Sequence, residues 1–256
     1  MCELFGVCSA QPLDVNEYLK EFYSHSDSNP DGWGLAVLDG IEASIEKEPL
    51  RANRSAYLRE RLSVPVSERT VLAHIRRASI GSIEYRNCHP FTGKDYLGRR
   101  WTLIHNGTIF EYSPLNHLFY SQAGGTDSER IFLFLLERIN QEIRAAGPLD
   151  ASGRFRILDE MVCRMAPGNR LNLLIYDGEC FYVHTNYANS LYCLQKEGQV
   201  IFSTKPLGRE NWELVAMTTL LAYKDGELLY RGTDHGAEYI DNTEDTKYLY
   251  QIYSEL

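Results

Sequence analysis

The chain has 256 residues, a net charge of −9 at pH 7 and 44% hydrophobic residues. That length and apolar content suit one packed domain over residues 2–256, and the acidic balance leaves no basic stripe to release counterions, which argues against nucleic acid as a partner. The longest apolar runs, such as Ile131 to Leu136, fall far short of the roughly 18 residues a membrane span needs, and the N-terminus lacks the basic and apolar regions of a secretory signal; a cytoplasmic chain with no membrane contact is expected. Cysteines at 2, 8, 88, 163, 180 and 193 show no C-x-x-C spacing, so free thiols and neither a metal nor a cofactor are expected.

The first strand is expected over Leu4 to Cys8, then a helix over Val15 to Tyr23 with Asp14 as its cap. Trp33 to Leu38, Asp39-Gly40 and Ile41 to Ile45 read as a hairpin, because Asp-Gly between apolar runs favours the tight turns that join antiparallel strands. A short helix at Ser55 to Leu62 precedes strands at Thr70 to Ile75 and Trp101 to His105. The strongest helix runs from about Thr126 to Arg144: Thr126 and Glu129 fit the S/T-x-x-E capping box, and the run after them is apolar nearly all round, which predicts a buried helix sandwiched against a sheet. A further helix at Arg156 to Met165 precedes a second Asp-Gly hairpin, Leu171 to Tyr176 answered by Cys180 to His184. Strands at Val200 to Thr204 and Leu228 to Arg231 complete an α+β layered sandwich.

Position 2 carries the first chemical signal. Removing Met1 would put the Cys2 thiol and a free α-amine on one residue, and an amine of pKa roughly 7.7–8.0 can take a proton from a thiol of about 8.5 near neutral pH. A lone cysteine there is more often an inert small hydrophobe. Its meaning depends on a clamp and an oxyanion hole elsewhere.

Five segments are candidates for those parts. Ser26 to Gly34 is a turn-rich stretch entering a strand whose two glycines leave room for close backbone approach. In Ala73 to Ser79, Arg76 stands at a strand's mouth and presents either a planar fork for a carboxylate or a surface salt bridge. Asn87-Cys88-His89-Pro90-Phe91 holds His89 extended before proline, where it either touches substrate or packs internally. Trp101 to Thr108 runs an apolar strand into Asn106-Gly107, which offers either two oxyanion donors or a hairpin turn. In Gly125 to Glu129, Thr126 fits the helix cap, which frees Asp127 to face a cation.

Taken in order, Met1-Cys2-Glu3-Leu4, Asn29-Pro30-Asp31-Gly32-Trp33-Gly34, His74-Ile75-Arg76, Asn87-Cys88-His89-Pro90-Phe91, His105-Asn106-Gly107, Thr126-Asp127-Ser128-Glu129 and Ser203-Thr204-Lys205-Pro206-Leu207 closely resemble the class II glutamine amidotransferases of the N-terminal-nucleophile hydrolase superfamily, in particular the stand-alone subgroup. The resemblance implies a four-layer αββα sandwich with two antiparallel sheets. It implies Cys2 as nucleophile with its own amine as base, Asn106 and the Gly107 N–H as oxyanion hole, Arg76 on the glutamine α-carboxylate and Asp127 on the α-ammonium. Ser79 and His89 join the substrate-binding set, and Arg77 and His89 are the expected rim on the leaving-group side. The expected reaction is hydrolysis of the glutamine side-chain amide through a Cys2 thioester, giving glutamate and ammonia, with a separate ammonia-accepting protein as the expected partner.

Two departures stand out. Arg77 follows the clamp arginine where fused members often carry an aromatic residue, and no ammonia-using domain is expected after this one. A γ-glutamyl peptide or conjugate hydrolase is the alternative with the same machinery; a catalytically silent binding or regulatory subunit is the alternative from another class. Cys2, Arg76, Asn106 and Asp127 together argue against silence, and no second cysteine has the partner motif of another protease fold.

Overall fold

The computed structural model describes residues 2–39, 42–245, 247 and 248. The chain enters as β1 (Glu3–Asp14), α1 (Asn16–Ser24), β2 (Trp33–Asp39), β3 (Glu42–Glu48), α2 (Ala56–Arg61) and β4 (Ser67–Ile75). It continues through β5 (Phe91–Lys94), β6 (Arg100–Thr108), α3 (Asp127–Ala146), α4 (Ala151–Met165), β7 (Arg170–Tyr176) and β8 (Phe181–His184). Five short strands follow: β9 (Tyr192–Lys196), β10 (Gln199–Ser203), β11 (Glu213–Leu214), β12 (Leu221–Lys224) and β13 (Glu227–Arg231).

Among the described residues these strands form a seven-stranded sheet ordered β11, β9, β10, β1, β4, β2, β3 and a six-stranded sheet ordered β13, β12, β8, β7, β6, β5. All strand pairings are antiparallel. The central strands are apolar on both faces because each face has its own core. Phe5, Val7, Leu35 and Val71 point outward onto Leu19 and Phe22 of α1 and Leu58 of α2. Leu4, Ala36 and Leu72 point inward and meet Ile104, Leu174 and Phe181 of the other sheet. On that sheet's far side Trp101, Leu103, Leu171 and Leu173 pack under Ile131 and Leu135 of α3 and Leu158 and Val162 of α4. Three cores separate four layers, so the fold is the expected αββα sandwich. A fully buried side chain such as Phe22 or Leu135 contributes about 1.5–3 kcal/mol before conformational entropy is set against it.

Several local expectations shift. β1 runs on to Asp14, so Val15 takes the N-cap position of α1 without a side-chain cap, and the Asp14 carboxylate accepts instead from the Asn16 N–H at 3.0 Å. The first Asp-Gly turn is framed by β2 and β3 in antiparallel register, but residues 40 and 41 lie outside the described residues. Thr126 caps α3 as expected, its hydroxyl accepting from Glu129 N at 3.1 Å. The reciprocal half of the capping box is absent: the Glu129 carboxylate turns back to Ala123 and Gly124 N–H, both at 2.7 Å. α3 lies against a sheet as expected, but it is not buried all round. It covers the outer face of the six-stranded sheet, burying Ile131, Phe132, Leu135 and Ile139 while Leu133, Phe134 and Leu136 are only partly covered. Among the described residues no helix is long and apolar enough to cross a membrane.

Candidate functional site

Strand alternation assembles the site at one mouth of the space between the sheets. Leu4, Leu72, Ile104 and Leu174 all face the inter-sheet core, and residues two apart on a strand share a face. Counting toward the mouth puts Cys2 and Arg76 on the inner side at the ends of β1 and β4, and Asn106 and Arg170 on the inner face of β6 and β7. The register makes them neighbours: Glu3 pairs with Ile75, so Cys2 abuts the chain just after β4. Its Sγ lies 3.3 Å from both the backbone N and O of Arg77. Burial in this recess pushes the Cys2 thiol up, opposed by the Arg77 N–H and by the positive charges of the chain's α-amine, Arg76 and Arg170.

Arg76 is no surface residue. Its backbone N donates to Gly32 O at 2.8 Å and its carbonyl accepts from Asp31 N at 3.0 Å, which bolts it to the turn-rich segment. The Asp31 carboxylate adds a bond from Ala78 N at 2.8 Å. The buried guanidinium donates to the carbonyls of Ser82, Ile80 and Gly81 at 2.9, 2.9 and 2.8 Å. Three of its five donors are thus used, and Nε–H and one Nη1–H remain. Asn87 extends the network, donating to Ser82 O at 2.9 Å and accepting from Gly125 N at 2.8 Å. The loop after Arg76 is therefore tied to Gly125, next to the Thr126 cap of α3.

The Asn106-Gly107 pair lies within β6, which continues to Thr108, so it is neither a strand end nor a turn. β7 dictates this geometry. Leu171, opposite Gly107, turns its N–H to Asn186 and its carbonyl to His184 on the β8 side. The 107/171 pair is then a non-hydrogen-bonded one, which points the Gly107 N–H away from β7. The Asn106 amide has no hydrogen-bond partner among the described residues. Beyond the strand end, Asp127 is buried and less free than its sequence position suggests: one carboxylate oxygen accepts from Ile109 N, the other from Ser128 N, each at 2.9 Å. His105, on the opposite face of β6, is held to Ser128 Oγ at 2.9 Å.

Ser79 lies partly exposed in the loop after Arg76, and Arg77 is exposed beside it. His89 is not at the rim. It is buried with its ring centroid 4.1 Å from that of His74 and 4.8 Å from that of Phe91, and neither ring nitrogen of either histidine has a hydrogen-bond partner among the described residues. Burial pulls His74 down to about 3 and His89 well below the ordinary histidine range. The His89 carbonyl packs where a Cβ at Gly34 would be, 1.9 Å away, which is the close approach the Trp33-Gly34 pattern foretold. The last matching segment also has a place: Lys205, His25 and Asn29 surround the buried Glu3 carboxylate at 2.5, 2.8 and 3.2 Å. A cavity of about 770 Å³ between α1 and α2 contains none of these residues. Arg170 was not legible as part of the mouth; only the β6/β7 register brings it there.

The described residues thus form a four-layer αββα sandwich with Cys2, Arg76 and Asn106 toward one mouth between its two antiparallel sheets. The chain belongs to the class-II glutamine amidotransferases, whose family pattern matches residues 1–198. It is 28% identical to an uncharacterised protein of Methanocaldococcus jannaschii over 90% of this chain and 71% of that one. It is also 28% identical to the Escherichia coli protein YafJ, named as a candidate glutamine amidotransferase, over 77% of this chain and 76% of that one. Among solved structures, a predicted glutamine amidotransferase from Pseudomonas aeruginosa shares the fold with a TM-score of 0.62 and 24% identity over 90% of this chain and 100% of that one. The glutamine phosphoribosylpyrophosphate amidotransferase of B. subtilis shares it with a TM-score of 0.64 and 14% identity over 89% of this chain and 48% of that chain.

Proposed function

We propose that the mature chain, with Met1 removed, hydrolyses the side-chain amide of glutamine through a Cys2 thioester. The observation that carries this reading is the convergence of Cys2, Arg76 and Asn106 at the inner edge of one sandwich mouth, with Asp127 fixed beside the end of β6. The α-amine of Cys2 takes the thiol proton, and the thiolate bonds to the side-chain carbonyl carbon. Asn106 and the Gly107 N–H then donate to the oxygen as it becomes an oxyanion. The carbon–nitrogen bond breaks, and the proton held by the amine leaves with the nitrogen as ammonia. Water attacks the thioester, the carbon–sulfur bond breaks, and glutamate departs with the thiol restored.

Arg76 holds the substrate α-carboxylate and Asp127 the α-ammonium in this scheme, so recognition is confined to the glutamyl α-carbon. Ser79 lines the edge of that pocket. A separate protein that accepts the ammonia is part of the same proposal. Intact-mass analysis coupled to a glutaminase assay tests the nucleophile: the active species should begin at Cys2, and Cys2→Ala should fold normally and release no ammonia. Full activity in protein that quantitatively retains Met1 would overturn the mechanism.

A further inference from the structure

The residue after Cys2 carries a charge that the reaction does not use. Glu3 follows the nucleophile on β1 and, by strand alternation, faces outward with Phe5 and Val7. There its carboxylate is only 3% exposed, under the turn that leaves α1. One oxygen accepts from Lys205 Nζ at 2.5 Å and from Asn29 Nδ2 at 3.2 Å, and the other lies 2.8 Å from His25 Nδ1. Three stretches of chain far apart in sequence thus meet on one carboxylate: the start of β1, the turn after α1, and the residues that follow β10. The backbone is fastened at the same place, with Leu4 N donating to Thr204 Oγ1 at 2.8 Å and Thr204 N to Leu4 O at 3.0 Å.

Stability alone does not account for a carboxylate in this position. Desolvating a charge is costly, and well-packed apolar side chains of similar volume are often as stable as a buried ion pair. What the charge adds is register. Phe5 and Val7 make apolar contacts, which are non-directional; a carboxylate held from three sides is directional, because any slip of the strand leaves it buried and unpaired. The first residues of a chain are poorly ordered unless they are tied down, and in the mature protein Cys2 would have no residue before it. The turn that holds Glu3 also holds the clamp. His25 and Asn29 reach Glu3, and from the same stretch Asp31 N donates to Arg76 O while Arg76 N donates to Gly32 O. The cluster therefore ties β1 to the backbone of the arginine whose neighbour, Arg77, contacts the Cys2 Sγ at 3.3 Å.

We propose that Glu3 is a positioning residue: its cluster with Lys205, His25 and Asn29 sets the distance from the Cys2 thiol to the Arg76 guanidinium. This rests on the amide-hydrolysis reading above and assigns to that centre a residue that touches no substrate. A substrate held by its α-carboxylate at Arg76 presents its amide carbon at one fixed reach. A thiol displaced by about 1 Å from that point loses on the order of 10²-fold in rate. Binding is untouched, because Arg76 and Asp127 keep their own hydrogen bonds. The signature of a loosened Glu3 is thus a loss in attack without a loss in affinity.

The test compares two thiol reagents on the mature protein, with adducts at Cys2 followed by intact mass. One is a glutamine analogue whose amide is replaced by a diazoketone, which the clamp holds and the thiolate alkylates with loss of dinitrogen. The other is iodoacetamide, which needs no clamp. Glu3→Gln keeps the size of the side chain and removes its charge. Its maximal rate of capture by the analogue should fall about tenfold or more, while the half-saturating concentration and the iodoacetamide rate stay within about twofold of wild type. The Lys205 side chain is 52% exposed, so Lys205→Met keeps the fold even where Glu3→Gln does not, and it should show a smaller fall of the same kind. A folded Glu3→Gln or Lys205→Met protein captured by the analogue as fast as wild type would overturn the proposal. So would an equal loss with both reagents, which marks a thiol that is hidden and not misplaced. If the wild-type protein takes up the analogue no faster than Cys2→Ala, the amide-hydrolysis reading fails and the positioning role falls with it; capture in the wild type with no loss in the variants removes the positioning role alone.

Discussion

A β-carbon at position 107 would fall 1.9 Å from the carbonyl oxygen of Arg170, so the backbone of β7 leaves Gly107 no room for a side chain. Gly107→Ala must push β6 and β7 apart at the mouth. Overpacking of this kind costs about 1–3 kcal/mol. Urea unfolding should register that loss, and glutamine turnover should vanish with it; a variant of normal stability and normal turnover would show that the strands separate freely there.

Asn106 stands one residue earlier under the opposite constraint. Its amide bonds to nothing among the described residues, so Asn106→Ala removes no structural hydrogen bond. The expected result is a fall in kcat of roughly 10²–10³, the cost of one oxyanion donor, with little change in melting temperature. A large drop in stability with kcat intact would make the residue structural.

For Arg76 the split reverses. An ammonium reproduces neither the fork to a carboxylate nor the three bonds to the Ile80, Gly81 and Ser82 carbonyls, so Arg76→Lys should raise KM and loosen that loop. Steady-state kinetics read the first effect and hydrogen exchange over residues 79–83 reads the second. A pure kcat defect would place Arg76 on the wrong half of the substrate.

The buried histidines predict the acid response. Unfolded, His74 and His89 titrate near 6.5; folded, burial pulls His74 down to about 3 and His89 well below the usual value. The unfolded chain therefore binds protons that the native state refuses, and stability falls as pH drops below about 6.5. The slope should be on the order of 1.4 kcal/mol per pH unit for each histidine. Unfolding free energies at pH 7, 6 and 5 measure it, and His74→Gln should remove one share of the slope. A flat profile would mean that the native rings already carry charge or contact water.

Much of this protein is written in its sequence. Periodicity and Asp-Gly spacing placed the strands on either side of 177–178, and the Thr126 cap located the start of α3, because turns and caps are settled by a few adjacent residues. Six of the seven segments that suggested the family lie, in order, within the residues its pattern matches, each readable where it stands. Tertiary structure alone decided who meets whom. Cys2 reaches Arg77 because β1 pairs with β4, Gly107 loses room for a side chain because β7 crosses it, and Arg170 joins the mouth through the same register. His89 sinks against His74, and Asp127 turns two oxygens to backbone N–H groups. A period of two fixes which face a residue takes, but not which distant strand lies beside it. That choice is made by burial summed over three cores, a quantity no local run of residues contains.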